Sequence, residues 1–295
     1  MVMINHNLKI FLAVVKNNGI TEAANSLYIS QPSISQSIKA LEKSLNVKLF
    51  HRKGKQGLIL TDVGKKMYLI ALEMQHLEDQ LYQTAFRENN FLGGMLRIGA
   101  LPILTATILP KPLYVFKTKY PSVNIELMEG TPSELQKLVE QHQVDFSITC
   151  SPFGKLDHET LLWDQMVGIL PDGDTLDMID LRENTEHLIL AKAGSETAIE
   201  ELMGKYHLDF SKNILTTSGD AVIRLVQAGN GRGIISEFTL KNFAPEMKYI
   251  PVVPEVKFEI GLQSVDLGDL TPVAQEFVRI LKDSASYDSL PMYQQ

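Results

Sequence analysis

The chain has 295 residues, 44 % of them hydrophobic and 21 % charged, a length that fits about two domains with a core each. No run approaches the ~18 apolar residues of a membrane-spanning helix, no basic leader precedes a long apolar run, and the single cysteine, Cys150, excludes an intramolecular disulfide and a cysteine-based zinc cluster, so a cytoplasmic protein with no membrane partner is expected. The net charge of −7 is unevenly spread: residues 1–61 carry eight basic side chains against Glu22 and Glu42, a net of +6, which leaves −13 on the other 234 residues and marks a basic head for a polyanion on an acidic body.

Leu8, Phe11, Leu12 and Val15 recur at helical spacing, and Asn17-Asn18-Gly19 ends that helix. Thr21 is a good N-cap for the next, with Glu22 in its positive first turn; this short helix offers Ala23, Ala24 and Leu27 to a core. A four-residue turn, Tyr28 to Gln31, follows, and Pro32 suits the first turn of a third helix, where a missing N–H costs nothing. Ile34, Ile38, Leu41 and Leu45 form its inner stripe. Pro32, Gln36, Lys39 and Lys43 fall opposite, flanked by Ser33 and Ser35. A solvated surface helix is usually dressed with Glu and Lys; this one begins with small, uncharged hydrogen-bonders. Two readings are open, a Ser-rich cap or a helix that reads base edges, where Gln bonds adenine N6 and N7 and Ser bonds several edges. "FHRKGKQGLILT" then sets a basic Gly-containing turn between Phe50 and an apolar strand, as a wing is built, with Arg52, Lys53 and Lys55 placed for phosphates.

The stretch Leu8 to Gly64, "LKIFLAVVKNNGITEAANSLYISQPSISQSIKALEKSLNVKLFHR" followed by "LTDVG", resembles the winged helix-turn-helix of LysR-type transcriptional regulators. The helix spacing, the Ser-Gln-Pro turn, the Leu-Glu pair and the Leu-Phe-x-Arg segment carry the match. The resemblance implies base contacts from Gln31, Pro32, Ser33, Ser35 and Gln36, and phosphate contacts from Thr21, Lys39 and Arg52. Gln36 stands where many members carry Arg, which favours adenine over guanine at that contact.

From Thr61 the pattern changes. Val63, Met67, Ile70, Met74, Leu77 and Leu81 are spaced as a heptad seam, the signature of helix pairing, although a helix packed on its own domain shows a similar stripe. Lys65, Lys66, Glu73, Glu78 and Asp79 lie off the seam. Within the resemblance this is a dimerising linker helix, which implies a homodimer or homotetramer on pseudo-palindromic double-stranded DNA. "RENNFLGG", Arg87 to Gly94, reads as its exit hinge.

The acidic body alternates strands and helices: "MLRIGAL", a helix over about Leu104 to Lys119, "NIELMEG", "PSELQKLVEQ" and "VDFSIT". The pattern restarts at "HLILAKAGSETAIEELM" and "GDAVIRLVQAGNGRGIISE", and a last helix runs from Pro272 to Ser284. Such alternation predicts βαβ units and a mostly parallel sheet, with ligands beyond the strand ends. The candidate turns are Ala100 to Ile103, Gly130 to Ser133, Thr149 to Ser151, Gly194 to Glu196 and Ser218 to Asp220. Ser133, Ser195 and Ser218 read equally as plain N-caps. Residues 95–290 are similar, more loosely, to the effector domain of the same family. That implies two periplasmic-binding-protein-like lobes with a small-molecule effector between them, touching Leu101, Ile103, Thr131, Thr149, Ser195 and Ser218. Family members often carry Ser or Thr where Leu101 and Ile103 stand, so an apolar or aromatic effector moves ahead of a small carboxylate, and a conformation fixed without effector stays open.

No histidine pair has metal-ligand spacing, and neither a phosphate-binding loop nor a Gly-x-Ser-x-Gly elbow occurs. "AGNGRGII" runs from helix into strand, the reverse of a dinucleotide site, and reads as a turn. No catalytic residue, metal or cofactor is expected. The resulting architecture is multidomain: a winged helix-turn-helix over residues 1–61, a dimerising helix over 62–90 and a two-lobed α/β effector domain over 91–295. Lobe I takes about 95–163 plus 264–295, and lobe II about 164–263. The expected function is a DNA-binding transcriptional regulator with RNA polymerase as a candidate partner. Its rivals are a solute-binding module, against which the +6 head argues, and an enzyme, for which no site can be named.

Overall fold

The computed structural model describes residues 6–52, 58–88, 92–183, 187–191, 213–216 and 218–284. The chain forms two compact units that divide between Phe91 and Leu92.

In the first unit α1 (His6–Lys16), α2 (Ile20–Leu27) and α3 (Gln31–Leu45) precede an antiparallel pair, β1 (Phe50–Arg52) with β2 (Leu58–Leu60), and the 27-residue α4 (Asp62–Glu88). Phe11 is fully buried, its ring edge-on to Phe50 at 5.6 Å and to Tyr68 at 6.4 Å. Ile34, Ile38 and Leu41 meet it from α3, and the buried Ala23 and Ala24 allow α2 to come close. Truncating such a core Phe costs about 3–5 kcal/mol. Val15 is only half-buried, and Ile10 and Val14 fill its part of the core.

Three local expectations change. α2 begins at Ile20 behind Gly19, so Thr21 is an exposed residue of the first turn and not the cap. The turn before α3 has three residues, Tyr28 to Ser30, because Ser30 is the N-cap and its Oγ accepts the Ser33 N–H at 3.3 Å. Leu45 is 40 % exposed. The chain leaves α3 through Asn46 in the left-handed region (φ 53°) and folds back, so Leu49 enters the core and covers Glu42 in place of Leu45.

In the second unit β3 (Gly94–Ala100) pairs in parallel with β4 (Val123–Glu129) and β5 (Phe146–Cys150). The connecting helices are α5 (Pro102–Thr107), α6 (Pro110–Lys119) and α7 (Pro132–Glu140). The single helix expected to Lys119 is broken before Pro110, because Pro110 and Pro112 have no N–H to continue its ladder. The second half contains β6 (Asp157–Ile169), β7 (Ile179–Asp180), β8 (Leu188–Ala191), β9 (Ile214–Thr216), α8 (Gly219–Gln227), β10 (Arg232–Ser236), α9 (Glu237–Phe243) and β11 (Tyr249–Val253). The chain then returns through β12 (Lys257–Ser264) to α10 (Pro272–Ser284), whose Phe277 ring meets Phe116 at 5.3 Å and Phe146 at 6.0 Å. The turn between α8 and β10 carries Gly229 and Gly231 at positive φ, as read from "AGNGRGII".

The strand order is β4-β3-β5-β12-β6-β10-β8-β9. The sheet is mixed where a mostly parallel one was expected. β6 and β12 run antiparallel to each other and to their outer neighbours β10 and β5, and they carry the chain between the two halves. The sequence placed the return to the first half at about residue 264, yet β12 already pairs with β5 from Ile260 to Gln263.

Candidate nucleic-acid interface and ligand cleft

The start of α3 is held from beneath and open above. Gln31, Pro32, Ser33, Gln36 and Lys39 are exposed, and Ser35 is half-buried. The Ser33 and Ser30 hydroxyls are 2.8 Å apart, so part of the Ser33 capacity serves the cap. The face therefore offers two long amides, one imino acid, small hydroxyls and a cation, on a helix fixed by Ile34, Ile38 and Leu41. Thr21 is exposed on α2, Arg52 ends β1, and Lys53 lies outside the described residues.

Two groups that position this face were not singled out as positioning groups by sequence reasoning. Glu42 is buried; Oε1 accepts the Leu49 N–H at 2.9 Å and Oε2 pairs with Lys48 at 2.7 Å, which ties the end of α3 to the start of β1. Burial pushes this carboxyl up, but Lys48 and the Leu49 and Phe50 N–H groups outweigh it and hold it below the usual carboxylate range. Thr61 donates to the Lys48 carbonyl at 2.7 Å and accepts the Gly64 N–H at 2.8 Å, which fixes the start of α4. A Cβ at Gly64 would meet the Leu49 carbonyl oxygen at 2.2 Å, which explains the glycine of "LTDVG".

α4 has two apolar faces. Ala71 and Leu72 are buried in the core of the first unit, Met67 packs against it, and Lys9 pairs with the buried Glu78 at 3.1 Å. Met67 thus leaves the expected seam for the core. Ile70, Met74, Leu77 and Leu81 stay 43–55 % exposed, a stripe of four large apolar side chains on one helix.

In the second unit a cavity of about 130 Å³ opens where the two halves face each other across β6 and β12. Leu101, Pro102, Ile103 and Cys150 wall it on one side. Ala191, Ser218, Gly219, Asp220 and α9 wall the other, and Asp164, Phe258 and Ile260 come from the crossing strands. Leu101, Ile103 and Ser218 thus come together as expected. Thr131 does not: it closes the N-terminus of α7, its Oγ1 accepting the Glu134 N–H at 3.4 Å while Glu134 accepts the Thr131 N–H at 2.8 Å. Thr149 does not line the cavity either, because successive strand residues face opposite sides and it is Cys150 that lines it; the Thr149 hydroxyl is buried with no partner among the described residues. Ser195 lies outside the described residues. Ser218 both lines the cavity and caps α8, its Oγ accepting the Ala221 N–H at 3.3 Å.

Asp164 was missed. It is buried; Oδ2 accepts the Ser236 hydroxyl at 2.5 Å, and Oδ1 accepts the Phe238 and Gln165 N–H groups at 3.0 and 2.8 Å. Burial, with the neighbouring Glu237 adding to it, pushes its carboxyl up to about 6 against these three donors. Glu237 is held low despite burial by Lys241, Tyr249 and Gln165.

Residues 89–286 match the family model of the LysR substrate binding domain, and residues 6–65 match that of the bacterial regulatory helix-turn-helix protein, lysR family. The chain is 37 % identical over 286 residues to the uncharacterized HTH-type transcriptional regulator YoaU of Bacillus subtilis (strain 168), covering 96 % of this chain and 99 % of that one. It is 27 % identical to YvbU of the same organism, covering 94 % and 97 %. Among solved structures, a full-length OxyR variant from Pseudomonas aeruginosa aligns with a TM-score of 0.70 at 19 % identity, over 94 % of this chain and 93 % of that one. Full-length CbnR complexed with its target DNA aligns with a TM-score of 0.60 at 20 % identity, over 95 % and 99 %. At these identities the likeness to the solved structures is one of fold.

Proposed function

The chain belongs to the LysR family of transcriptional regulators, with a helix-turn-helix head and an effector-binding body, and from that premise we propose how the two parts work. α3 enters the major groove of double-stranded DNA with Gln31, Pro32, Ser33, Ser35 and Gln36 at base edges and Gln36 on adenine, while Thr21, Lys39, Arg52 and Lys53 hold phosphates. The observation that carries this reading is the exposed, uncharged, hydrogen-bonding first turn of α3, fixed by its own cap and core and followed by the exposed Lys39.

Pairing through Ile70, Met74, Leu77 and Leu81 gives a homodimer, or a homotetramer built from it, on pseudo-palindromic half-sites. Each of the four is about half exposed, so covering it is worth about half of the ~1.5–3 kcal/mol of full burial, which supports pairing over exposure. A small-molecule effector in the cleft, touching Leu101, Ile103 and Ser218, shifts the two halves of the body and with them the spacing of the heads. It does so only by binding one arrangement better than the other. Regulation in the cytoplasm, through contact with RNA polymerase and without catalysis, follows from the same reading; no described helix is long and apolar enough to cross a membrane.

The test is recovery of genomic fragments by the purified protein, followed by affinity against salt. A shared pseudo-palindrome bound far above competitor, with affinity falling steeply as salt rises, is the expected result. Weak binding that ignores sequence overturns it.

A further inference from the structure

We propose that the cleft takes an uncharged, single-ring-sized apolar molecule carrying one hydrogen-bond donor, of phenol-like chemistry, in preference to a carboxylate; this rests on reading the cleft as the effector site. The cavity, at about 130 Å³, is close to the ~150 Å³ of a dry cavity that holds benzene. Phe238, Phe258, Ile260, Ile235 and Leu101 give it aromatic and branched walls.

On the Leu101 to Ile103 wall and at Ser236, the groups that could hold an anion are spent or missing. The Leu101 N–H donates to the Ile148 carbonyl at 3.2 Å, Pro102 has no N–H, and Leu101 and Ile103 carry no hydroxyl. The Ser236 hydroxyl donates to Asp164 and accepts from Thr239, whereas the Ser218 Oγ accepts the Ala221 N–H of the α8 cap, a bond that leaves its O–H to donate. Two acids, Asp164 and Asp220, line the cavity, and among the described residues no Lys, Arg or His does. An anion entering this space would lose its water and face like charge.

The same wall invites a neutral donor. A carboxylate oxygen accepts about two hydrogen bonds. Asp164 Oδ1 already has two, from Phe238 and Gln165, while Oδ2 has only Ser236, which leaves one acceptor position on Oδ2. A hydroxyl or ring N–H on the ligand would complete it. A cation is the poorer match, because three donors already disperse the Asp164 charge and burial disfavours its ionised form.

The experiment titrates the full-length protein by calorimetry with three probes of one ring size: phenol, benzoate and benzylamine. Phenol is expected to bind at least about tenfold more tightly than either charged probe. Ile103→Trp, which fills the mouth at a half-exposed position, should abolish phenol binding, and Phe243→Ala, which opens an exposed part of the wall, should weaken it. Benzoate or benzylamine binding as well as phenol, no saturation by phenol, or phenol binding unchanged in both variants would each overturn the proposal. Operator affinity measured on the same samples separates the two readings: phenol bound in the cleft with no change in affinity for the operator removes the effector role and leaves the ligand class standing.

Discussion

The Glu42 carboxylate receives the backbone N–H of Leu49 at 2.9 Å, and through that bond α3 fixes the start of β1. Glu42→Ala strands this buried donor, which costs about 1–3 kcal/mol for the lost partner alone. Because the folded-state pKa lies below the ordinary value of 4.5, the carboxylate contributes full stability above about that pH and loses it as pH falls through the folded value. The melting-temperature gap between the natural protein and Glu42→Gln should therefore narrow as the pH is lowered below about 4.5. A gap that stays constant there contradicts the charge-based account.

Gln36→Ala should relax base preference at one position in each half-site, since a good bidentate contact discriminates by about 1–3 kcal/mol. The readout is selection from a randomised operator library. Preference unchanged at every position removes Gln36 from the reading surface.

Lys39→Ala should weaken binding to all sequences alike and reduce the slope of log affinity against log salt by about one. Lys39 is exposed on α3, and a phosphate contact carries no sequence information. Selective loss of one operator would instead make Lys39 a base reader.

Periodicity located the helices of the head because Phe11, Ile34, Ile38 and Leu41 keep helical spacing into one core. It put Leu45 on the buried face and overlooked the positioning role of Glu42, because spacing within a helix does not say where the chain turns back over it. Thr131 could have been read correctly: Thr131-Pro132-Ser133-Glu134 has the Thr-x-x-Glu spacing of a capping box. Asp164 had no local signal at all. Its partners Ser236 and Phe238 lie 72 and 74 residues further along the chain, and only the antiparallel pairing of β6 with β10 brings them to it.

Leu77→Asp places a charge in the middle of the exposed stripe on α4, where Leu77 is 55 % exposed. The exposure predicts a folded chain that fails to pair, because desolvating an unpaired carboxylate at a helix–helix contact opposes association. Sedimentation should show monomers with unchanged helix content. An oligomer that persists would move the pairing surface elsewhere.

Asp164 reverses the usual behaviour of a structural carboxylate. Its folded-state pKa is raised from 3.8 to about 6, so between those values the folded chain holds its proton while the unfolded chain has released it. Stability from this group is therefore present below about pH 4 and falls as pH rises through about 6, by about 3 kcal/mol at most for roughly two units at 1.36 kcal/mol each. Asp164→Asn removes the titration and puts an N–H₂ in place of one carboxylate oxygen, so it loses either the acceptor for Ser236 or the one shared by Phe238 and Gln165, and the variant should be the less stable of the two. Its deficit should be largest near pH 4 and shrink toward pH 7, the opposite trend to that of Glu42→Gln. Melting temperatures of both proteins across this range decide the matter: a deficit that grows with pH means that the ionised form is the one the folded chain favours, and that the three donors outweigh burial.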